Sequence, residues 1–163
     1  MNTDFHSAAI AVLDTCRARG LTVATAESCT GGLVAGALTA IAGSSDVVDR
    51  GFVTYSNAAK QEMLGVPSDT LKRYGAVSRQ TAEAMASGVL TKCNVDLAVS
   101  ITGIAGPGGG SGEKPVGLVY FAAVSRNGTL IHAAKRYGEI GRDKVRHQSV
   151  LQALAMLKEI AEQ

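Results

Sequence analysis

Three short segments hold the residues able to do chemistry. The first is Thr25-Ala26-Glu27-Ser28-Cys29-Thr30-Gly31-Gly32-Leu33-Val34-Ala35-Gly36. An apolar, β-prone run, Leu21 to Ala24, leads into it, and its hydroxyl-rich turn sits where a small-residue helix begins. The first N–H groups of a helix lack intrahelical partners and carry the positive end of its dipole, so they can hold a phosphate or a developing oxyanion. Ser28 is therefore a candidate nucleophile, with the amides of Cys29, Thr30, Gly31 and Gly32 as donors. The competing reading is that Ser28 or Thr30 only caps the helix. Cys29 is intrinsically the stronger nucleophile, and the residues by themselves leave the choice between Ser28 and Cys29 open.

The second segment, Tyr55-Ser56-Asn57-Ala58-Ala59-Lys60, supplies a base. A lysine can take a serine proton only when neutral, so its pKa must fall from ~10.4 through burial or a nearby cation. Arg142 and Arg146 are placed late in the chain to supply that cation, or to bind a phosphate or carboxylate as forks. Against this stands the usual fate of a helix lysine, which is solvation. His6, His132 and His147 lie on surface positions far from Ser28 in sequence, and nothing recommends a Ser-His-Asp triad.

The third segment is a glycine-rich loop from Thr102 and Gly103 to Pro115, whose successive N–H groups suit an anion. It contains neither a Walker A pattern nor G-x-G-x-x-G, so ATP and dinucleotide binding are unsupported. Ser111-Gly112-Glu113-Lys114 spells S-x-x-K, but that motif needs a helix to bring its serine and lysine together, and this is a loop.

These segments need elements to hold them. Near-helical apolar spacing predicts helices over Thr3–Arg19, Gly31–Ala42, Ala58–Leu64, Arg79–Cys93 and Asp143–Ala161, with another short one after Pro67-Ser68 ending at Gly75. Strands are expected over Leu21–Ala26, Val47–Tyr55 and Asp96–Ile101, followed by a hairpin, Val116–Val124 and Thr129–Arg136, about Asn127-Gly128. Strands alternating with helices and ending in a hairpin indicate a three-layer α/β/α domain with a mixed sheet. All three chemical segments follow strands, where ligands gather in such sheets.

Composition narrows the classes. With 163 residues the expectation is one domain, 1–163. A net charge of +2 and 4% aromatic residues give little reason to expect a nucleic-acid partner. Cys16, Cys29 and Cys93 are widely spaced, which argues against a disulfide framework or a metal site. No apolar run approaches a membrane span and no secretory pattern opens the chain, so a cytoplasmic location without membrane contact is expected. A metal-dependent phosphotransferase would need an acidic cluster, which the sequence lacks.

Taken together, Thr25-Ala26-Glu27-Ser28-Cys29-Thr30-Gly31-Gly32, Gly51-x-Val53-x-Tyr55-x-Asn57-x-x-Lys60, Gly75-Ala76-Val77-Ser78 and Thr102-Gly103-Ile104-Ala105-Gly106-Pro107-Gly108-Gly109 resemble the family of the C-terminal domain of competence/damage-inducible protein A. Its stand-alone members include nicotinamide mononucleotide amidases. The resemblance implies hydrolysis of the nicotinamide mononucleotide carboxamide to nicotinate mononucleotide and ammonia, without cofactor or metal. It further implies Ser28 as nucleophile, Lys60 as base and Tyr55 as the group that relays or positions the proton. Thr102 at the head of the glycine loop and Arg142 would complete the site. The family usually has Gly-Asp before the matching arginine, where this chain has Ile140-Gly141. The alternative function is a catalytically silent nucleotide-sensing or protein-binding module. The small-residue helix after Ser28 hints at a homo-oligomer.

Overall fold

Strands buried on both faces read as unbroken runs of apolar and small residues, and two strands here are of that kind. The computed structural model describes residues 3–163. In chain order the elements are α1 (Thr3–Arg19), β1 (Val23–Glu27), α2 (Leu33–Thr39), β2 (Val48–Val53), α3 (Asn57–Leu64), α4 (Ser68–Tyr74), α5 (Arg79–Lys92), β3 (Leu97–Gly103), β4 (Leu118–Ser125), β5 (Leu130–Arg136) and α6 (Arg142–Ala161). The five strands form one mixed sheet in the order β2-β1-β3-β4-β5, with β1 parallel to β2 and β3, and β4 antiparallel to both of its neighbours, β3 and β5. β1 is buried at every residue, and β3 from Leu97 to Thr102.

The two-residue period of the strands divides the core between the two faces. Val23, Leu97, Val99, Ile101, Val119 and Phe121 pack on one side with Leu13, Leu38, Leu154 and Leu157 of α1, α2 and α6. Burying each side chain of that size contributes about 1.5–3 kcal/mol. The opposite face carries small residues, Ala24, Ala26, Ala98 and Ala122, which let α5 settle close with Ala82, Met85, Ala86 and Val89. There the Ser100 hydroxyl donates to the Ala82 carbonyl at 2.5 Å. The end of α3 in turn packs on α5, where a Cβ at Gly88 would stand 2.1 Å from the Leu64 carbonyl oxygen.

The expected architecture is observed, with shifted boundaries. α2 begins at Leu33 rather than Gly31, because Gly31 and Gly32 take φ values of 57° and 104° and close a left-handed turn first. It ends at Thr39, and a 3-10 turn over Ser44–Asp46 follows. β3 continues to Gly103, since Thr102 and Gly103 still pair with Tyr120 and Val119 of β4. β4 correspondingly starts at Leu118, and α6 starts at Arg142. Because β1, β2 and β3 run parallel, Ser28, Thr54-Tyr55 and Thr102 emerge from the same edge of the sheet.

Candidate active site

Lys60 stands on the first turns of α3, a helix capped by the Ser56 hydroxyl, which accepts from the Ala59 N–H at 3.0 Å. Its side chain turns inward and is only 1% exposed. Nζ lies 2.9 Å from Ser28 Oγ, 2.8 Å from the Thr54 carbonyl oxygen and 3.4 Å from that of Tyr55. The hydrogen-bonding partners are thus one hydroxyl and two carbonyls, with no carboxylate to hold the ammonium. Burial pushes the Lys60 pKa below that of an ordinary lysine. The nearby cation expected from Arg142 or Arg146 is not the cause: both guanidiniums are bonded elsewhere, and desolvation lowers the pKa.

Ser28 follows β1 directly and remains tied to the sheet, its N–H donating to the Ile101 carbonyl at 2.9 Å. It does not cap α2, whose N-cap is Gly32 without a side-chain hydrogen bond. That end of α2 is satisfied instead by Glu27, which is fully buried and accepts from the Val34 N–H at 2.9 Å and the Ala35 N–H at 3.0 Å. The Val34 and Ala35 amides of α2 are therefore already bound to a carboxylate, and they are not open to a ligand anion. Between Glu27 and α2 the turn closes with the Gly31 N–H on the Ser28 carbonyl at 3.0 Å. The Arg146 side chain covers its outer side, donating from Nε to the Cys29 carbonyl at 3.0 Å and from Nη2 to the Thr30 carbonyl at 3.3 Å.

An open cleft of about 280 Å³ lies over this pair, lined by Ser28, Cys29, Tyr55, Lys60, Thr102, Gly103 and Arg142, with Ala76, Val77, Ile104, Ala105, Gly106, Gly108 and Gly109 completing the walls. Residues from all three chemical segments thus meet there. Thr30, Gly31 and Gly32 do not line it, because the left-handed turn carries them away from the cleft towards α2 and Arg146. Cys29 does line it, but burial raises its thiol pKa to about 11, which keeps it protonated, and Ser28 is the hydroxyl that meets the base.

The far wall is held by polar contacts to the backbone. The buried Thr102 hydroxyl donates to the Ala76 carbonyl at 2.8 Å, so its hydrogen is committed to the wall. Tyr55 is exposed, and its phenol oxygen accepts from Arg142 Nη2 at 3.0 Å; the link from Tyr55 to Lys60 runs through its carbonyl, not its hydroxyl. Arg142 Nη1 donates to the Gly106 carbonyl at 3.0 Å, joining α6 to the glycine loop. Ser111 and Lys114 form a turn in which the Lys114 N–H donates to the serine oxygen at 3.1 Å, and the lysine reaches the Tyr74 carbonyl at 2.5 Å, outside the cleft lining. The three histidines are likewise outside that lining, with His147 stacked on Phe5. Among the described residues no three His, Cys, Asp or Glu side chains gather to hold a metal, and no helix is long and apolar enough to cross a membrane.

The roles of Glu27 and Arg146 go beyond the sequence reading. Glu27 sits in the first motif, and its signal is a carboxylate a few residues ahead of a helix start. For Ala76 and Val77, which wall the cleft, the residue types give no chemical signal.

The model of the CinA C-terminal domain matches residues 6–161 of the chain. The nicotinamide-nucleotide amidohydrolase PncC of Enterobacter agglomerans is 50% identical over 149 residues, covering 91% of this chain and 90% of that protein. A CinA-like protein of Synechococcus sp. (strain RCC307) is 51% identical over 156 residues, covering 95% of this chain and 37% of the longer relative. In structure the chain is similar to the competence/damage inducible protein CihA of Agrobacterium tumefaciens, with a TM-score of 0.95 at 57% identity, covering 98% of this chain and 96% of that one.

Proposed function

The chain belongs to the CinA C-terminal domain family, and from that membership we propose that it is a nicotinamide-nucleotide amidase. It hydrolyses the carboxamide of nicotinamide mononucleotide to nicotinate mononucleotide and ammonia, in the cytoplasm, in pyridine nucleotide recycling. Support for the reaction comes from the PncC relative, named for that activity and matched over nine-tenths of its length. The observation that carries the mechanism is the buried Lys60 Nζ, 2.9 Å from Ser28 Oγ at the floor of the cleft.

A neutral Lys60 has two N–H bonds and one lone pair. With the N–H bonds directed to the Thr54 and Tyr55 carbonyls, the lone pair faces the Ser28 hydroxyl. Ser28 Oγ attacks the carboxamide carbon while its proton passes to Nζ, giving a tetrahedral oxyanion and a lysine ammonium. Transfer of that proton to the amide nitrogen breaks the C–N bond and releases ammonia, leaving an acyl ester on Ser28. Water then adds to the ester with Lys60 again the base, and nicotinate mononucleotide leaves as Ser28 regains its proton.

The Cys29 amide follows the nucleophile directly and is the oxyanion donor in this reading. Arg142 and the amides of Gly106, Gly108 and Gly109 hold the substrate phosphate, since a guanidinium with three further donors and neighbouring glycine amides suit that anion. Tyr55 positions Arg142 from the other side of the cleft mouth. The site needs no metal in this mechanism. Half-exposed Leu33 and Val53 flank the turn on the α2–β2 side and support association with a second copy of the chain.

Ammonia release from nicotinamide mononucleotide by the purified, chelator-treated protein tests this function. Equimolar ammonia and nicotinate mononucleotide are expected. A folded protein that binds the nucleotide and releases neither product would overturn the amidase and favour a sensing module.

A further inference from the structure

Arg146 lies one helical turn beyond Arg142 on the same side of α6, and its partners are two backbone carbonyls rather than a carboxylate. Taking a guanidinium partly out of water is costly unless its hydrogen bonds are made. The bonds it makes all fall on the turn that carries Ser28. That turn is anchored at its two ends: the Ser28 N–H is bonded to β3, and Glu27 grips the first amides of α2. Between those anchors the chain has neither a sheet nor a helix ladder to hold it.

Arg146 fills that gap. It bonds the Cys29 carbonyl at 3.0 Å, and it shares the Thr30 carbonyl with the Leu33 N–H, which reaches the same oxygen at 3.0 Å. A planar trans peptide points its N–H opposite its C=O, so drawing these two carbonyls outwards turns the Thr30 and Gly31 N–H groups inwards. The Gly31 N–H then closes on the Ser28 carbonyl. Gly31 leaves just enough room for the arrangement, since a Cβ there would stand 3.3 Å from Arg146 Nη2. Only a fork can hold both carbonyls; a lysine ammonium is a point donor on a flexible stem.

We propose that Arg146 is the positioning residue of the nucleophile turn, its guanidinium fork holding the Cys29 and Thr30 carbonyls so that Ser28 Oγ stays in register with Lys60 Nζ. The α6 face bearing Arg142 and Arg146 thereby fixes two walls of the cleft, the glycine loop through one and the serine turn through the other. The inference rests on the Ser28–Lys60 reading above, and its test separates the two.

The test compares the whole chain with its Arg146→Ala and Arg146→Lys variants by three readouts: kcat and KM for nicotinamide mononucleotide, the rate at which a fluorophosphonate probe labels Ser28, and rescue of Arg146→Ala by added ethylguanidinium. Displacing the nucleophile by an ångström lowers kcat about a hundredfold in Arg146→Ala, with KM changed by less than about threefold. Probe labelling falls in step, ethylguanidinium restores part of both, and Arg146→Lys remains impaired. Should Arg146→Ala not fold, Arg146→Lys carries the comparison by labelling rate and kcat. Labelling and kcat within about twofold of wild type in a folded variant would overturn the proposal, as would a raised KM at unchanged kcat. Wild-type protein that takes the probe but does not deamidate the nucleotide would sink the amidase reading and leave Arg146 to be judged on labelling. Wild-type protein that does neither has no reactive serine to position, and the proposal falls with it.

Discussion

Replacing Lys60 by methionine separates the cost of the buried amine from its use. In the native chain the amine is 1% exposed and burial lowers its pKa, whereas in the unfolded chain it titrates near ~10.4. Below the native pKa both states carry the proton, so stability has no slope from this group and the cost of burying the charge is fully present. Between the native pKa and ~10.4 the unfolded chain binds a proton that the native chain does not, and wild-type stability rises by about 1.4 kcal/mol per pH unit. Methionine removes the titration. It also removes the bonds to Ser28 and Thr54, a loss of about 1–3 kcal/mol that shifts the variant's curve without tilting it. The stability of Lys60→Met minus that of wild type should therefore decrease steadily as pH rises towards ~10.4. Urea unfolding of both proteins at a series of pH values measures this difference. Turnover of the wild type should rise with pH along a one-proton limb that levels off below ~10.4, since only the neutral amine accepts the serine proton. Parallel stability curves across that range would mean that Lys60 keeps its proton in the fold and that Ser28 has no base.

Other perturbations test the frame around the pair. Glu27→Gln places an amide where a carboxylate meets two N–H groups, and should cost about 1.5–3 kcal/mol by chemical denaturation; an unchanged midpoint would remove Glu27 as the anchor of α2. Tyr55→Phe deletes the phenol that meets Arg142 at an exposed position, so turnover should fall about tenfold while stability stays within about 0.5 kcal/mol; unchanged turnover would take Tyr55 out of the site. Gly88→Ala drives a Cβ into the Leu64 carbonyl at the end of α3 and should destabilise by about 1–3 kcal/mol, whereas Gly112→Ala, which meets open space, should be neutral; equal midpoints for the two variants would contradict the α3–α5 contact.

Much of the fold is legible because its signals are local. The apolar run before Glu27, the Ser56 and Ser78 hydroxyls that accept from the Ala59 and Thr81 N–H groups at the starts of α3 and α5, and the Asn127-Gly128 turn each act within a few residues, and the strand, helices and hairpin they mark are observed within about two residues of the expected bounds. The start of α2 is misread because glycine suits both a helix entry and a left-handed turn, and only the φ values of Gly31 and Gly32 tell them apart. The candidate site is legible as residue types and not as contacts. A serine after one strand and a lysine after the next suggest a pair, but the burial that lowers the lysine pKa depends on the tertiary fold that turns its side chain inward onto Ser28 and the Thr54 carbonyl. Arg142 and Arg146 look alike in sequence at four-residue spacing. What distinguishes them is which carbonyls lie within reach, Gly106 for one and Cys29 with Thr30 for the other.

The most direct test of the account is ammonia release from nicotinamide mononucleotide by Ser28→Ala beside the wild type, at matched folding. Losing the hydroxyl removes one hydrogen bond with Lys60, so the variant should stay within about 0.5–1.5 kcal/mol of wild-type stability while turnover falls by a factor of about 10⁴ or more. Wild-type rates of ammonia release from folded Ser28→Ala would contradict the claim that this serine, with Lys60 as its base, performs the reaction.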